Sequence, residues 1–138
     1  MTATTQDRNT PYRHGELIVA PVAAGVKIPA GTIVCASGSG FAVSGATAAT
    51  LAYLGMADAA VDNSAGADGA TGVPIRRGVA FKWANDSGDP VTQASLGRVC
   101  YIVDNQTVAK SNGGNTRSPA GIVVGIDADG VQLRRQHP

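Results

Sequence analysis

The strongest constraint on this chain is its punctuation. Short Val-rich apolar runs are cut at regular spacing by Gly, Pro, Asn and Asp, from ELIVA at 16–20 to VQLRR at 131–135. No run is long enough, or has the right period, for a series of packed helices. Strands of four to eight residues bounded by turn formers suit this pattern. The side chains agree with it. Val supplies 15 of the 29 Leu, Ile, Val and Phe residues, and β-branched chains lose little freedom on a pleated surface. Seven to ten short strands are expected, with no βαβ rhythm and no internal repeat. The expected fold is all-β, a jelly-roll-like sandwich or small barrel.

Reading along the chain divides it into an arm over 1–15, one β-domain over 16–134 and a tail over 135–138. The arm is polar and aperiodic. Its segment lacks the apolar core of a secretory leader, and no apolar run approaches the 18 residues of a membrane helix. PAG at 29–31 and SGSG at 37–40 read as turns, with a strand TIVCA between them. Residues 46–57 fit a short helix or a strand. Gly55 costs a helix interior about 1 kcal/mol relative to Ala, which favours the strand. DNQT at 104–107 and DADG at 127–130 read as hairpin turns, and VTQASLG at 91–97 has room for one helical turn.

The stretch DNSAGADGATGVPIRRGVAFKW at 62–83 combines two textures. Its second half alternates with period two. Val73, Ile75, Arg77, Val79, Phe81 and Trp83 share one face, and Pro74, Arg76, Gly78, Ala80 and Lys82 the other. A single core strand is expected, with Arg77 at its margin or a bulge at Gly78 shifting the phase. Its first half offers oxygen ligands at Asp62, Ser64, the Gly66 carbonyl and Asp68, spaced as a calcium loop would space them. The EF-hand pattern also needs Gly at its sixth position and Glu at its twelfth. Ala67 and Val73 stand there instead, so Asp62, Ser64 and Asp68 are weak metal candidates and a hairpin loop is the plainer reading.

Catalytic motifs are missing. A nucleophile needs a base held within hydrogen-bond reach, and the only histidines, His14 and His137, sit at the ends of the chain. Neither the nucleophile elbow nor the phosphate-cradling glycine loops occur. The expectation is a non-enzyme without a cofactor. Cys35 and Cys100 lie in separate strands, and buried free thiols are the simpler reading beside a disulfide. Eleven basic residues against ten acidic ones give a net charge of +1 with no basic stripe, which argues against nucleic-acid binding.

What remains is interaction. Charged residues are only 15% of the chain, and Ala and Gly together number 41. Such a surface suits close packing against a larger body, with loops 58–72 and 111–117 moulding to a partner at an entropy cost. Tyr12 and Arg13 on the arm, Arg76 on the 73–83 strand and Arg134 near the end are the expected interface residues. Of the pair on opposite strand faces, Arg76 is expected to reach a partner and Arg77 is not.

The segments PVAAGVKIPAGTIV, LGMADAAVDNSAGADGATGVPIRRGVAFKWAN and DPVTQASLGRVCYIVDNQTVAKSNGGNTRSPAGIVVGIDADGVQL resemble small capsid decoration (cement) proteins of tailed phages. The likeness spans nearly all of 16–133 and rests on turns and hydrophobic residues. It implies a jelly-roll-like domain bound outside the capsid shell of a double-stranded DNA phage. It also implies a homodimer that bridges neighbouring major capsid protein subunits and reinforces the shell. A fibre- or tail-associated β-module would share the composition. A secreted hydrolase or carbohydrate-binding module would need a leader or clustered acids and aromatics.

Overall fold

A computed structural model describes residues 2–3, 6–8 and 16–136. Among the described residues the turn formers mark off twelve strands: β1 (Leu17–Pro21), β2 (Lys27–Ile28), β3 (Ile33–Ala36), β4 (Ala42–Ser44), β5 (Ala52–Ala57), β6 (Val61–Asp62), β7 (Gly72–Arg76), β8 (Phe81–Asn85), β9 (Val99–Ile102), β10 (Thr107–Ala109), β11 (Pro119–Asp127) and β12 (Gly130–Arg134). One 3₁₀ turn, Gln93–Ser95, falls inside the segment expected to hold a helical turn. The fold is all-β. Residues 46–57 resolve as a loop running into β5. Ser118 ties that loop to the start of β11, its buried hydroxyl donating to the Ala48 carbonyl (2.6 Å) and accepting from the Leu51 amide (2.9 Å). Pro119 is accommodated at the first position of β11, as its missing N–H requires.

The strands form two bodies of unlike closure. The C-terminal body is a closed five-stranded barrel in the order β10-β8-β12-β11-β9. The N-terminal body is a five-stranded sheet in the order β1-β7-β5-β3-β4, accompanied by the two-stranded β2-β6. Just beyond β1, Val22 bridges to Ala42 of β4. The sheet therefore curls almost shut at that end and stays open along the rest of β1.

Each body has its own core. Val22, Ile28, Val34, Ala42, Ala57, Val73 and Ile75 fill the N-terminal sheet. Trp83, Val91, Cys100, Ile102, Val108, Ala120, Val123, Val131 and Leu133 fill the barrel side, joined by Ile33 and Cys35. Strand β3 is the partition. Its alternation sends Ile33 and Cys35 to the barrel core and Val34 to the sheet core, so three successive residues are buried. A bulge between Val34 and Cys35 shifts the register against β5.

The 73–83 stretch is not one strand. It breaks at Gly78, whose φ of +83° suits glycine and strains other residues. Val73 and Ile75 belong to the sheet core, while Phe81 and Trp83 belong to the barrel side. An uninterrupted period-two pattern thus conceals the crossing from one body to the other. Arg77 sits at the crossing.

Candidate functional site

Arg77 and the end of β12 meet at the seam between the two bodies. A cleft of about 270 Å³ there is lined mainly by Leu51, Tyr53, Arg77, Pro119, Ala120 and Arg135. An adjoining cleft of about 260 Å³ is lined by Glu16, Gly78, Val79, Arg134 and Arg135. Arg135 and Gln136, expected in a tail, are part of this wall.

The seam is electrostatically unfinished. The Arg77 Nε is sealed from solvent and has no hydrogen-bond partner among the described residues. Burial lowers the Arg77 pKa, and the neighbouring Arg135 charge lowers it further. Tyr53 accepts a hydrogen bond from the Trp83 indole Nε1 at 3.3 Å, and burial raises its phenol pKa well above the ordinary value. The Arg77 stem runs over Gly55. A Cβ on Gly55 would lie 3.2 Å from the Arg77 Cγ and 2.5 Å from the Arg76 carbonyl oxygen. The φ of +150° at Gly55 is likewise reserved for glycine. A side chain there would displace the arginine from its track.

Arg76 is placed differently. It is exposed on β7, and its guanidinium forks onto Asp58, with Nε at 3.0 Å and a terminal nitrogen at 3.4 Å. The residue expected to seek a partner already has one within the chain, whereas its neighbour does not. Arg134 lines the second cleft. Tyr12 and Arg13 lie outside the described residues.

The oxygen-rich loop is organised around Asn63 and not around a cation. Asn63 is buried, and its amide nitrogen donates to the carbonyls of Val22 (3.2 Å), Ala23 (2.9 Å) and Ala67 (3.0 Å). Asp62 accepts from the Ser64 amide (2.9 Å), and hydrogen bonds from Ser64 hold its carboxyl below the usual range. Asp68 is turned to another element and accepts from the Ala24 amide at 2.7 Å. Asp62, Ser64 and Asp68 are thus occupied with backbone donors and one another. Among the described residues, no three His, Cys, Asp or Glu side chains gather as a metal site would require.

Loop 111–117 is also pinned. Asp89 accepts from the Ser111 amide (3.0 Å), the Ser111 hydroxyl and Arg117 (3.0 Å). The Ser111 hydroxyl is the main cause of the lowered Asp89 pKa. Both loops expected to mould to a partner are therefore preformed, loop 58–72 by Asn63, which ties it to Val22 and Ala23, and loop 111–117 by Asp89 and Asn112, which accept from its amides. Cys35 and Cys100 are free and buried, and desolvation pushes each thiol up to about 12. Such thiols are poor nucleophiles near neutral pH.

Sequence reasoning missed the seam site. Its two arginine doublets are visible in the chain, but the meeting of Arg77 and Arg135 depends on how two sheets dock. Comparison with protein-family models, curated proteins and solved structures finds no match to this chain.

Proposed function

We propose that this protein is a structural component of a virion that binds the outer surface of the capsid and reinforces contacts between major capsid protein subunits. The observation that carries the reading is the open side of the N-terminal sheet. Among the described residues, strand β1 stands at the end of its sheet and has one strand neighbour, β7. Leu17 (48% exposed) and Val19 (66%) present apolar side chains there. Val79, 54% exposed, lines the adjoining cleft beside Glu16. An apolar edge strand without charge along it is a liability in an isolated domain, and proteins ordinarily blunt or cover such edges. Cover by another protein fits this edge and the low surface charge. The resemblance of the chain to capsid decoration proteins supplies the identity of the cover.

The mechanism requires no bond chemistry. Each bound copy adds contact area across a capsomer boundary and raises the work of separating neighbouring subunits. A standard interface buries roughly 800 Å² per partner. The preformed loops reduce the ordering cost, so more of the burial energy remains as affinity. A homodimer spanning the boundary would engage two subunits at once, and linkage of the two contacts would raise the occupancy at low free concentration. The test is to add the purified protein to capsids that lack it and compare particle density with and without it. Ordered extra density on the outer shell is the expected result. Absence of binding to shells, with binding to tails or fibres, would replace the reading with that of another virion part.

A further inference from the structure

We infer that the seam cleft holding Arg77 and Arg135 is a binding site for a carboxylate side chain, an Asp or Glu presented by the partner protein. The inference rests on the proposed capsid-binding role for its source of the carboxylate, while the cleft chemistry stands separately.

Two guanidinium groups line one cleft, and no acidic residue lines it. Two other arginines of the described residues are answered by acids. Arg76 is paired with Asp58 and Arg117 with Asp89, each at 3.0 Å. Arg77 lacks such an answer, although its Nε is shut off from water. A buried donor without an acceptor is costly, and folds rarely tolerate one without a use. Placing a second like charge beside it compounds the cost. An anion held between the two guanidinium groups offsets both positive charges.

The glycine at 55 provides the track for the Arg77 stem, so the unpaired group is held in place and does not wander to solvent. Leu51, Pro119 and Ala120 give the cleft an apolar wall, suited to the methylene stem of an acidic residue. At about 270 Å³ the cleft is smaller than the ~300–1,000 Å³ of ordinary ligand pockets. That volume takes a single acidic side chain. The planar arginine fork matches a carboxylate edge to edge. The cleft also borders the Val79 wall next to β1, so an acidic residue docking there would approach alongside the apolar edge already argued to be covered.

The test uses glutarate as the stand-in for a glutamate side chain and inorganic phosphate as the competing oxyanion, at constant ionic strength. Arginine Nε–H and tryptophan Nε1–H resonances of the ¹⁵N-labelled protein are followed. Glutarate is expected to shift the Arg77 Nε–H signal saturably and more tightly than phosphate. The Arg135→Gln variant should lose the response at Arg77, and the Arg77→Met variant should lose it at Trp83. Arg77→Lys, which keeps the charge but not the fork, should weaken it. Non-saturating shifts, equal responses in the variants, or tighter binding of phosphate would overturn the carboxylate assignment. On capsids, Arg77→Met should lower the affinity by about tenfold or more. Unchanged capsid affinity with a lost glutarate response would overturn the partner assignment and leave the capsid role intact. A wild-type protein that binds glutarate but no capsid would instead overturn the capsid role and with it the source of the carboxylate.

Discussion

The barrel and the N-terminal sheet are built from the same kind of short strand, yet they end their hydrogen bonding differently. The barrel closes on itself and leaves no edge. The sheet closes only through the Val22–Ala42 bridge and leaves β1 open. Their cores differ in the same sense. The barrel side buries eleven residues, among them Trp83 and Leu133, while the sheet buries seven, none larger than isoleucine. Burial of apolar area scales with stabilisation, so the barrel is the anchoring half and the sheet the half that offers a surface. The seam between them inherits features of both. It is held by rigid strands but contains an arginine that the fold itself does not satisfy.

The largest effect expected is in the anchor. Leu133→Ala should cost about 3 to 5 kcal/mol, as large-to-small changes in packed cores do, measured by urea unfolding followed through the single tryptophan. Ile75→Ala in the sheet core should cost less, because small neighbours can close around the gap. The reverse order would break the assignment of anchor and surface.

Alkali provides the next contrast. Both raised thiols face the barrel core, and the sheet core has no titratable group. A thiol with a folded pKa of about 12 against an ordinary 9.0 stays protonated in the fold while the unfolded chain ionises. Its stabilising contribution is complete below pH 9 and is lost as pH rises from 9 towards 12. The slope should be about 1.4 kcal/mol per pH unit for each thiol. Replacing both by Ala should make this segment of the stability curve shallower, leaving the slope that the raised Tyr53 phenol contributes above pH 10, at some cost in neutral stability. A curve unchanged by that replacement would show that the thiols do not govern alkaline unfolding.

A smaller effect is expected at Asn63. Asn63→Ala removes the side-chain donor shared by three backbone carbonyls, each of which keeps one backbone amide donor, and should cost about 2 kcal/mol. Hydrogen exchange should accelerate at the Gly66 and Ala70 amides, which bond within this loop. Unchanged exchange would restore the mouldable loop that composition alone suggests. Smaller still, and opposite in sign, is Arg77→Met. Removing an enclosed Nε–H that is unpaired among the described residues should stabilise the isolated protein by about 1 kcal/mol. Destabilisation would mean that Arg77 serves the fold.

Much of the fold is legible in the sequence because turns are local. Gly31 after Pro29, the DADG hairpin and the Pro119 entry to β11 each follow from backbone preferences within four residues. The alternation in 73–83 is equally local, and it misleads for that reason. Period two reports which side of a ribbon a residue occupies, but not whether the ribbon passes from one sheet to another. Gly78 was the signal, since its freedom permits a turn where a bulge is the simpler expectation. Loop 58–72 misled in the opposite way. Its small residues look compliant, and the ordering is supplied by Asn63, whose partners at 22 and 23 are some forty residues away in the chain. The seam was least legible, because Arg77 and Arg135 are separated by 58 residues of sequence and meet only through sheet docking.

The central claim is that the open side of the N-terminal sheet is the binding side. Val19→Lys places a charge on β1 at an exposed position, where substitutions ordinarily change stability by less than about 0.5 kcal/mol. Occupancy of this variant on purified capsids, measured beside its unfolding curve, tests the claim directly. The account predicts an unfolding midpoint like that of the wild type and loss of capsid binding. A Val19→Lys protein that decorates capsids as fully as the wild type would contradict it.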